Sequence, residues 1–244
     1  MSPVGHYPTD VSDAPWEVLP LVLPPPQGRP GGPGRQPLDL RRGITGLFYV
    51  HKTGWQWRMR PPDLGNGHTS YGSVRRWRRT GGWERVLATR RQWERQSQGR
   101  LPAPSACCAD SQRLKPATPG EDVGFDGPKT SKGRKRHLLV ETLGLMVAVV
   151  VTAAKMEERL GLGLLLKRYL ASGVTRLRNI WVAGGDEAQW LCDWVRGLQQ
   201  RHTIELEGVE HTGKGCQVVQ HRGKGERTCA WLLNDRRHSR DYEV

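Results

Sequence analysis

The sequence predicts an α/β protein, a mixed sheet with flanking helices, preceded by a small helical and basic domain. Three observations carry that expectation. Apolar residues in the first hundred positions recur at helical spacing between Pro and Gly breaks. After residue 101 the pattern shifts to short apolar runs rich in valine and leucine. Those runs begin as a hairpin and then alternate with helical segments, an order that suits a sheet with helices packed on its faces. The expected division is 1–100 for the helical domain and 101–244 for the α/β domain, with a Pro/Gly-rich linker at 24–37.

Taken in order, "SDAPWEVLP" reads as a short helix with Ser12 as its N-cap and Pro20 as its stop. The stretch "PPPQGRPGGPGRQP" holds no regular pattern. From Asp39, the residues Leu40, Ile44, Leu47 and Phe48 share a helical face that Gly54 closes. Tyr71, Val74 and Trp77 mark the next helix, Gly81-Gly82 breaks it, and Trp83, Val86 and Leu87 continue beyond. "SACCADSQ" reads as a strand ending in Asp110, and "GRKRHLLVETLGLMVAVVVTAA" as two strands about a Leu143-Gly144 turn. The second of these is apolar on both faces and is expected at the centre of the sheet. Leu160, Leu164 and Leu165 then mark a helix that Gly173 ends. A strand "LRNIWVAGG", a helix "DEAQWLCDWVRGLQQR", a strand "TIELEGVE" and a basic helix in "GERTCAWLLNDRRHSRDYEV" complete the chain.

The charge balance points to a polyanionic partner. Lys and Arg number 38 against 24 acids, a formal net charge of +14. The excess is concentrated at residues 51–100, where twelve Lys/Arg face only Asp63, Glu84 and Glu94. Arg75, Arg76, Arg78 and Arg79 lie on the outer side of an aromatic stripe, a pattern suited to a helix that pairs with DNA phosphates. A solvated charged face on an ordinary bundle is the alternative. Five cysteines, at 107, 108, 192, 216 and 229, form no C-x-x-C pair, which argues against a zinc site or a disulfide framework and for a reducing cytoplasm. The N-terminus lacks the pattern of a signal peptide. The longest mostly apolar run, Leu143 to Ala154, is far shorter than the ~20 residues of a membrane helix, so no membrane partner is expected.

Three acids stand where chemistry could use them: Asp110, an acid near the Gly184-Gly185 strand end, and Glu226 at the start of the last helix. Carboxylates converging on a sheet end can hold two Mg²⁺ ions about 3.5–4 Å apart and act on a phosphodiester. A lone Asp after a strand also serves as a turn or N-cap residue, and the pattern alone leaves both roles open.

The strings "DSQRLK", "GPKTSKGRKRHLLVETLGLMVAVVVTAA", "IWVAGGDEAQW" and "GERTCAWLLNDRRHSRDYE", in that succession, resemble the catalytic domain of DDE-type insertion-sequence transposases. "YPTDVSDAPWEVLPLVLPPP", "FYVHKTGWQWRMRPPD" and "TSYGSVRRWRRTGGWERVL" resemble that family's leading domain. The resemblance implies an RNase H-like fold and a Mg²⁺- or Mn²⁺-dependent enzyme that cleaves double-stranded DNA at terminal inverted repeats and joins it to target DNA. It further implies a homo-oligomer when active, working in the cytoplasm at the nucleoid. Asp110 matches the family's first acid, Glu226 its third, and Arg222 the arginine four residues before that glutamate. Lys132, Arg134, Lys135, Arg136 and His137 would hold DNA phosphates beside the sheet, or form a solvated basic turn. The family's second acid falls at Ala183, leaving Asp186 either to take over as catalytic and metal-binding residue or to cap the next helix. Gly223, Lys224 and Gly225 replace a bulkier spacer and are expected to weaken the helix start. Together with the end at Val244, these departures imply a degenerate or truncated copy, and a catalytically inactive DNA-binding remnant is the alternative function.

Overall fold

Contacts divide the computed structural model into two units, Met1–Arg90 with Asn234–Ser239, and Arg91–Leu233 with Arg240–Val244. The structure describes residues 7–25, 28, 31–33, 37–116, 123–127, 130–171, 173, 176–183, 193, 204–209 and 223–240. Its helices are α1 (Asp13–Val22), α2 (Leu40–Thr53), α3 (Gly67–Arg79), α4 (Gly82–Ser97), α5 (Glu158–Leu170), α6 (Gly223–Leu233) and α7 (Arg236–Ser239). Its strands are β1 (Ala106–Leu114), β2 (Gly124–Asp126), β3 (Ser131–Glu141), β4 (Met146–Ala153), β5 (Asn179–Ala183) and β6 (Glu205–Val209).

The first unit is helical, and its local signals are mostly those of the sequence. The Asp39 side chain accepts the Arg42 N–H at 3.2 Å to start α2, and Gly54 ends it in the left-handed region at φ 77°. Ile44, Leu47 and Val50 are buried, whereas Phe48, expected on that face, is exposed. Pro20 does not stop α1. The helix continues to Val22, because a proline near the C-terminal end forfeits one backbone bond while Leu23 N–H still reaches Leu19 O at 3.0 Å. Val11, Leu19, Leu23, Ile44 and Trp77 form the core, with Trp83 and Val86 packed against it. Trp77 meets Trp83 edge-on at 5.5 Å and donates from Nε1 to Pro24 O at 3.2 Å. The turn between α3 and α4 needs Gly81, whose φ is +67°.

The second unit is built on a mixed sheet. β3 pairs antiparallel with β1 and with β4, β1 pairs parallel with β5, and β5 pairs parallel with β6, while β2 pairs with the start of β3. On one face α5 contributes Leu165, Leu166 and Tyr169 to a core with Cys107, Ala109, Leu139 and Ile180. On the other, Cys229 and Leu232 of α6 pack on Leu138, Val140 and Val149. β4, expected at the sheet's centre, pairs with β3 alone among the described strands. Its valines are apolar on both sides because the two cores lie on either face, Val147 and Val150 against the first and Val149 against the second.

Three further expectations are corrected. β1 does not end at Asp110 but continues to Leu114, since Ser111 to Leu114 pair with His137 to Arg134. Leu160 and Leu164 of α5 are exposed at 45% and 44%; of the three expected leucines only Leu165 is buried, and the helix turns Gly161, Leu166 and Tyr169 to the sheet beside it. The last basic helix is two, α6 and α7, parted at Asn234-Asp235. The helix expected after Gly185 lies outside the described residues, apart from Asp193. Glu141 secures the β3–β4 hairpin. Its Oε1 accepts the N–H groups of Leu143 and Leu145 at 2.8 and 3.2 Å, and its Oε2 pairs with Arg95 of α4.

Candidate functional site

Strand β1 and helix α6 meet at Asp110. Alternation along β1 turns Cys107 and Ala109 into the α5-side core and sends Asp110 and Gln112 toward α6. The approach is close enough to require glycine at 225, where an added Cβ would lie 2.9 Å from Asp110 Cβ and 3.1 Å from its Oδ2. Gly225, one of the two glycines that the sequence reads as weakening the helix start, thus lets it seat against the strand, whereas a Cβ at Gly223 would meet nothing within 4 Å. Helix α6 begins at Gly223, and Glu226, exposed in its first turn, follows the contact residue directly.

Side-chain bonds define the carboxylate's position. Asp110 Oδ1 accepts the Ser111 N–H at 2.8 Å, and Oδ2 accepts the Cys229 thiol at 3.7 Å. Gln112 Nε2 donates to Cys229 O at 3.4 Å, and Arg136 Nη2 donates to Gln112 Oε1 at 2.9 Å. Burial, and then the charge of Asp110, pushes the Cys229 thiol up to about 12, so it stays a protonated donor at neutral pH.

The basic run expected either to hold DNA phosphates beside the sheet or to form a solvated turn is the first half of β3. Lys132 is exposed and Arg134 half-buried, but Lys135 and Arg136 are buried. Lys135 donates to Met156 O at 2.9 Å and lies 3.6 Å from Asp126, so both buried cations are directed at internal acceptors. His137 is also inside, bonded to Thr152 Oγ1 at 3.0 Å, and burial followed by the charge of Lys135 lowers its pKa to about 4. On α3, Arg75, Arg78 and Arg79 are exposed, whereas Arg76 is half-buried and donates to Pro25 O at 2.6 Å.

Asp186 and Arg222 lie outside the described residues. Ala183 ends β5, which runs parallel to β1, paired with it from Ala106 opposite Asn179 to Cys108 opposite Trp181. Among the described residues, no three His, Cys, Asp or Glu are grouped so as to hold a metal. None of their helices is long and apolar enough to cross a membrane. Sequence reasoning singled out Asp110 and Glu226 but missed Gly225, Cys229 and Gln112 as their neighbours. The available signal was Cys229 standing three residues after Glu226, one helical turn on.

A family model described as "Transposase DDE domain" matches residues 101–243, more than half of the chain. The chain belongs to the DDE-domain transposase family. A second model, "Putative transposase of IS4/5 family (DUF4096)", matches residues 11–87 of the chain. Over 79 residues it is 37% identical to the "Insertion element IS402 uncharacterized 16.2 kDa protein" of Burkholderia cepacia, covering 31% of this chain and 54% of that protein. The chain therefore spans about half the length of this curated relative. No solved structure matches it. Both family models carry a transposase description, and divalent metals are typical of DDE domains as a family.

Proposed function

We propose that this transposase cleaves insertion-sequence ends and transfers the strands to target DNA, with Asp110, Glu226 and Asp186 as catalytic acids and metal ligands. The carrying observation is the seating of Gly225 on Asp110, which sets the helix bearing Glu226 against the strand bearing Asp110. The path β4-β3-β1-β5-β6, antiparallel through its first three strands and parallel through its last three, with helices on both faces, supports an RNase H-like fold.

The donors at this junction fit a hard divalent cation such as Mg²⁺ or Mn²⁺, because Asp110 and Glu226 offer carboxylate oxygens. When bound, such an ion supplies a nucleophile activated at neutral pH and charge stabilisation for the phosphodiester. The chain's own residues hold and orient. Ser111 N–H and the Cys229 thiol fix the Asp110 carboxylate. Exposed Arg75, Arg78 and Arg79 offer phosphate contacts to double-stranded DNA, with Arg76, Lys132, Arg134 and Arg222 at further backbone positions. Lys135 and Arg136 act from within, securing β3. Two ends are brought together by a homo-oligomer, at the nucleoid in the cytoplasm. The chain divides functionally near residue 100, the helical part binding DNA and the α/β part performing the chemistry.

A second reading, a DNA-binding remnant without catalysis, is favoured by Ala183, which ends β5 where the family resemblance expects the second acid and whose methyl group cannot ligate a metal. Cleavage of a labelled duplex carrying the element's terminal repeat, with Mg²⁺ or Mn²⁺, separates the two. Cutting by the wild type that both Asp110→Asn and Asp186→Asn abolish supports the enzyme with Asp186 as its second acid. Cutting only after Ala183→Asp supports the remnant. No cutting by any variant refutes catalysis. DNA binding is measured in parallel: each of Arg75→Ala, Arg78→Ala and Arg79→Ala that removes a phosphate contact lowers the slope of log K against log salt by about 0.9.

A further inference from the structure

Helix α6 is tied to the sheet twice at one residue. Its Cys229 carbonyl accepts from Gln112, and its Cys229 thiol donates to Asp110 Oδ2, so Asp110 and Gln112, neighbours on one face of β1, grip the same turn of helix. Gln112 is itself held by Arg136, a buried cation behind the site. The Asp110 carboxylate therefore has a donor on each oxygen, Ser111 N–H on Oδ1 and the thiol on Oδ2. A backbone N–H from the adjacent residue moves with the carboxylate's own strand; the thiol comes from the helix that carries Glu226. Cys229 thus ties the Asp110 carboxylate to the helix that carries Glu226.

From this geometry we infer that Cys229 is a positioning residue of the metal site, its thiol setting the Asp110 carboxylate against α6 in the arrangement that takes a divalent cation. The inference rests on the reading of Asp110 as a metal ligand. Partners that hold a ligand from behind typically change metal affinity by about 10–100-fold when removed. A thiol is a weak donor, so the lower end is expected here.

The test is Mn²⁺ titration of the full chain without DNA, followed by electron paramagnetic resonance, for the wild type, Cys229→Ser, Cys229→Val, Cys229→Ala and Asp110→Asn, with thermal melting as the check on folding. Val fills the cysteine's space but donates nothing, whereas Ser keeps a donor. Positioning predicts about tenfold weaker Mn²⁺ binding for Val and Ala at unchanged melting temperature, with Ser closest to wild type. The Mn²⁺ midpoint for repeat-end cleavage, where cleavage is observed, moves in the same order. Val binding as tightly as wild type, or Ser weakened as much as Val, overturns the inference while leaving Asp110 a ligand. Absence of Mn²⁺ binding by the wild type, or binding unchanged in Asp110→Asn, overturns the metal reading and this inference together.

Discussion

Glu141→Gln removes one charge from the interior and little else. The amide oxygen still accepts from the Leu143 and Leu145 N–H groups, which Glu141 Oε1 now serves at 2.8 and 3.2 Å. The loss is the partner of Arg95. Both side chains are enclosed, Glu141 at 0% and Arg95 at 4% exposure, so the guanidinium would keep its Nε bond to Leu101 O at 2.8 Å but lose its counter-charge. Breaking one side of a buried pair costs about 3–5 kcal/mol, much of it the penalty of leaving the other charge uncompensated. Charge removal on both sides should then recover stability, since the methionine of Arg95→Met fills the volume of the arginine stem without needing a counter-ion. Equilibrium urea unfolding of wild type, Glu141→Gln, Arg95→Met and the double variant gives the four free energies. The double variant is expected to lose clearly less than the sum of the singles. Additive losses, or a Glu141→Gln loss below about 0.5 kcal/mol, the usual scatter for independent sites, would refute the buried-pair reasoning.

Other perturbations follow from single contacts. The folded pKa of His137 lies near 4 against 6.5 for the unfolded chain, so between those values the unfolded state binds a proton that the native state does not. Stability attributable to this group is full above pH 6.5, falls by about 1.4 kcal/mol per unit as the pH drops toward 4, and levels off below; urea unfolding of His137→Gln across that window should show a shallower slope than wild type. Gly161→Ala drives a Cβ into the His137 ring, and the forced shift of α5 is expected to cost about 1–3 kcal/mol, read as a lowered urea midpoint and eased by His137→Ala in the same chain. Trp77→Ala empties the centre of the helical unit's core and should cost about 3–5 kcal/mol in that unit's unfolding; an unchanged transition would show that the tryptophan is not packed there.

The elements legible in advance are those whose causes lie within a few residues. Asp39 and Gly54 bound α2 through their own side chain and backbone angle, Gly81 makes the α3–α4 turn because it accepts a positive φ, and Gly144 turns the β3–β4 hairpin for the same reason. Asp110 and Glu226 were recognisable as acids in an ordered succession of motifs, and the match to the DDE domain bears out the family. The assignment of Asp110 to a strand end failed because β1 is prolonged by pairing with β3, a segment more than twenty residues away.

The sequence by itself thus determined the caps of α2, the tight turns, the change from helical to strand periodicity, the basic character of the chain and its family. Only the tertiary structure decided that β4 pairs with β3 alone among the described strands, that α5 presents Gly161 and Leu166 to the sheet in place of Leu160 and Leu164, and that Lys135 and Arg136 point to internal acceptors. It also decided that Gly225 and Cys229 meet Asp110. The physical reason is common to all of these. Periodicity records that a residue is apolar or charged, but which of its faces is covered depends on the element that packs there, and that element is supplied by distant chain.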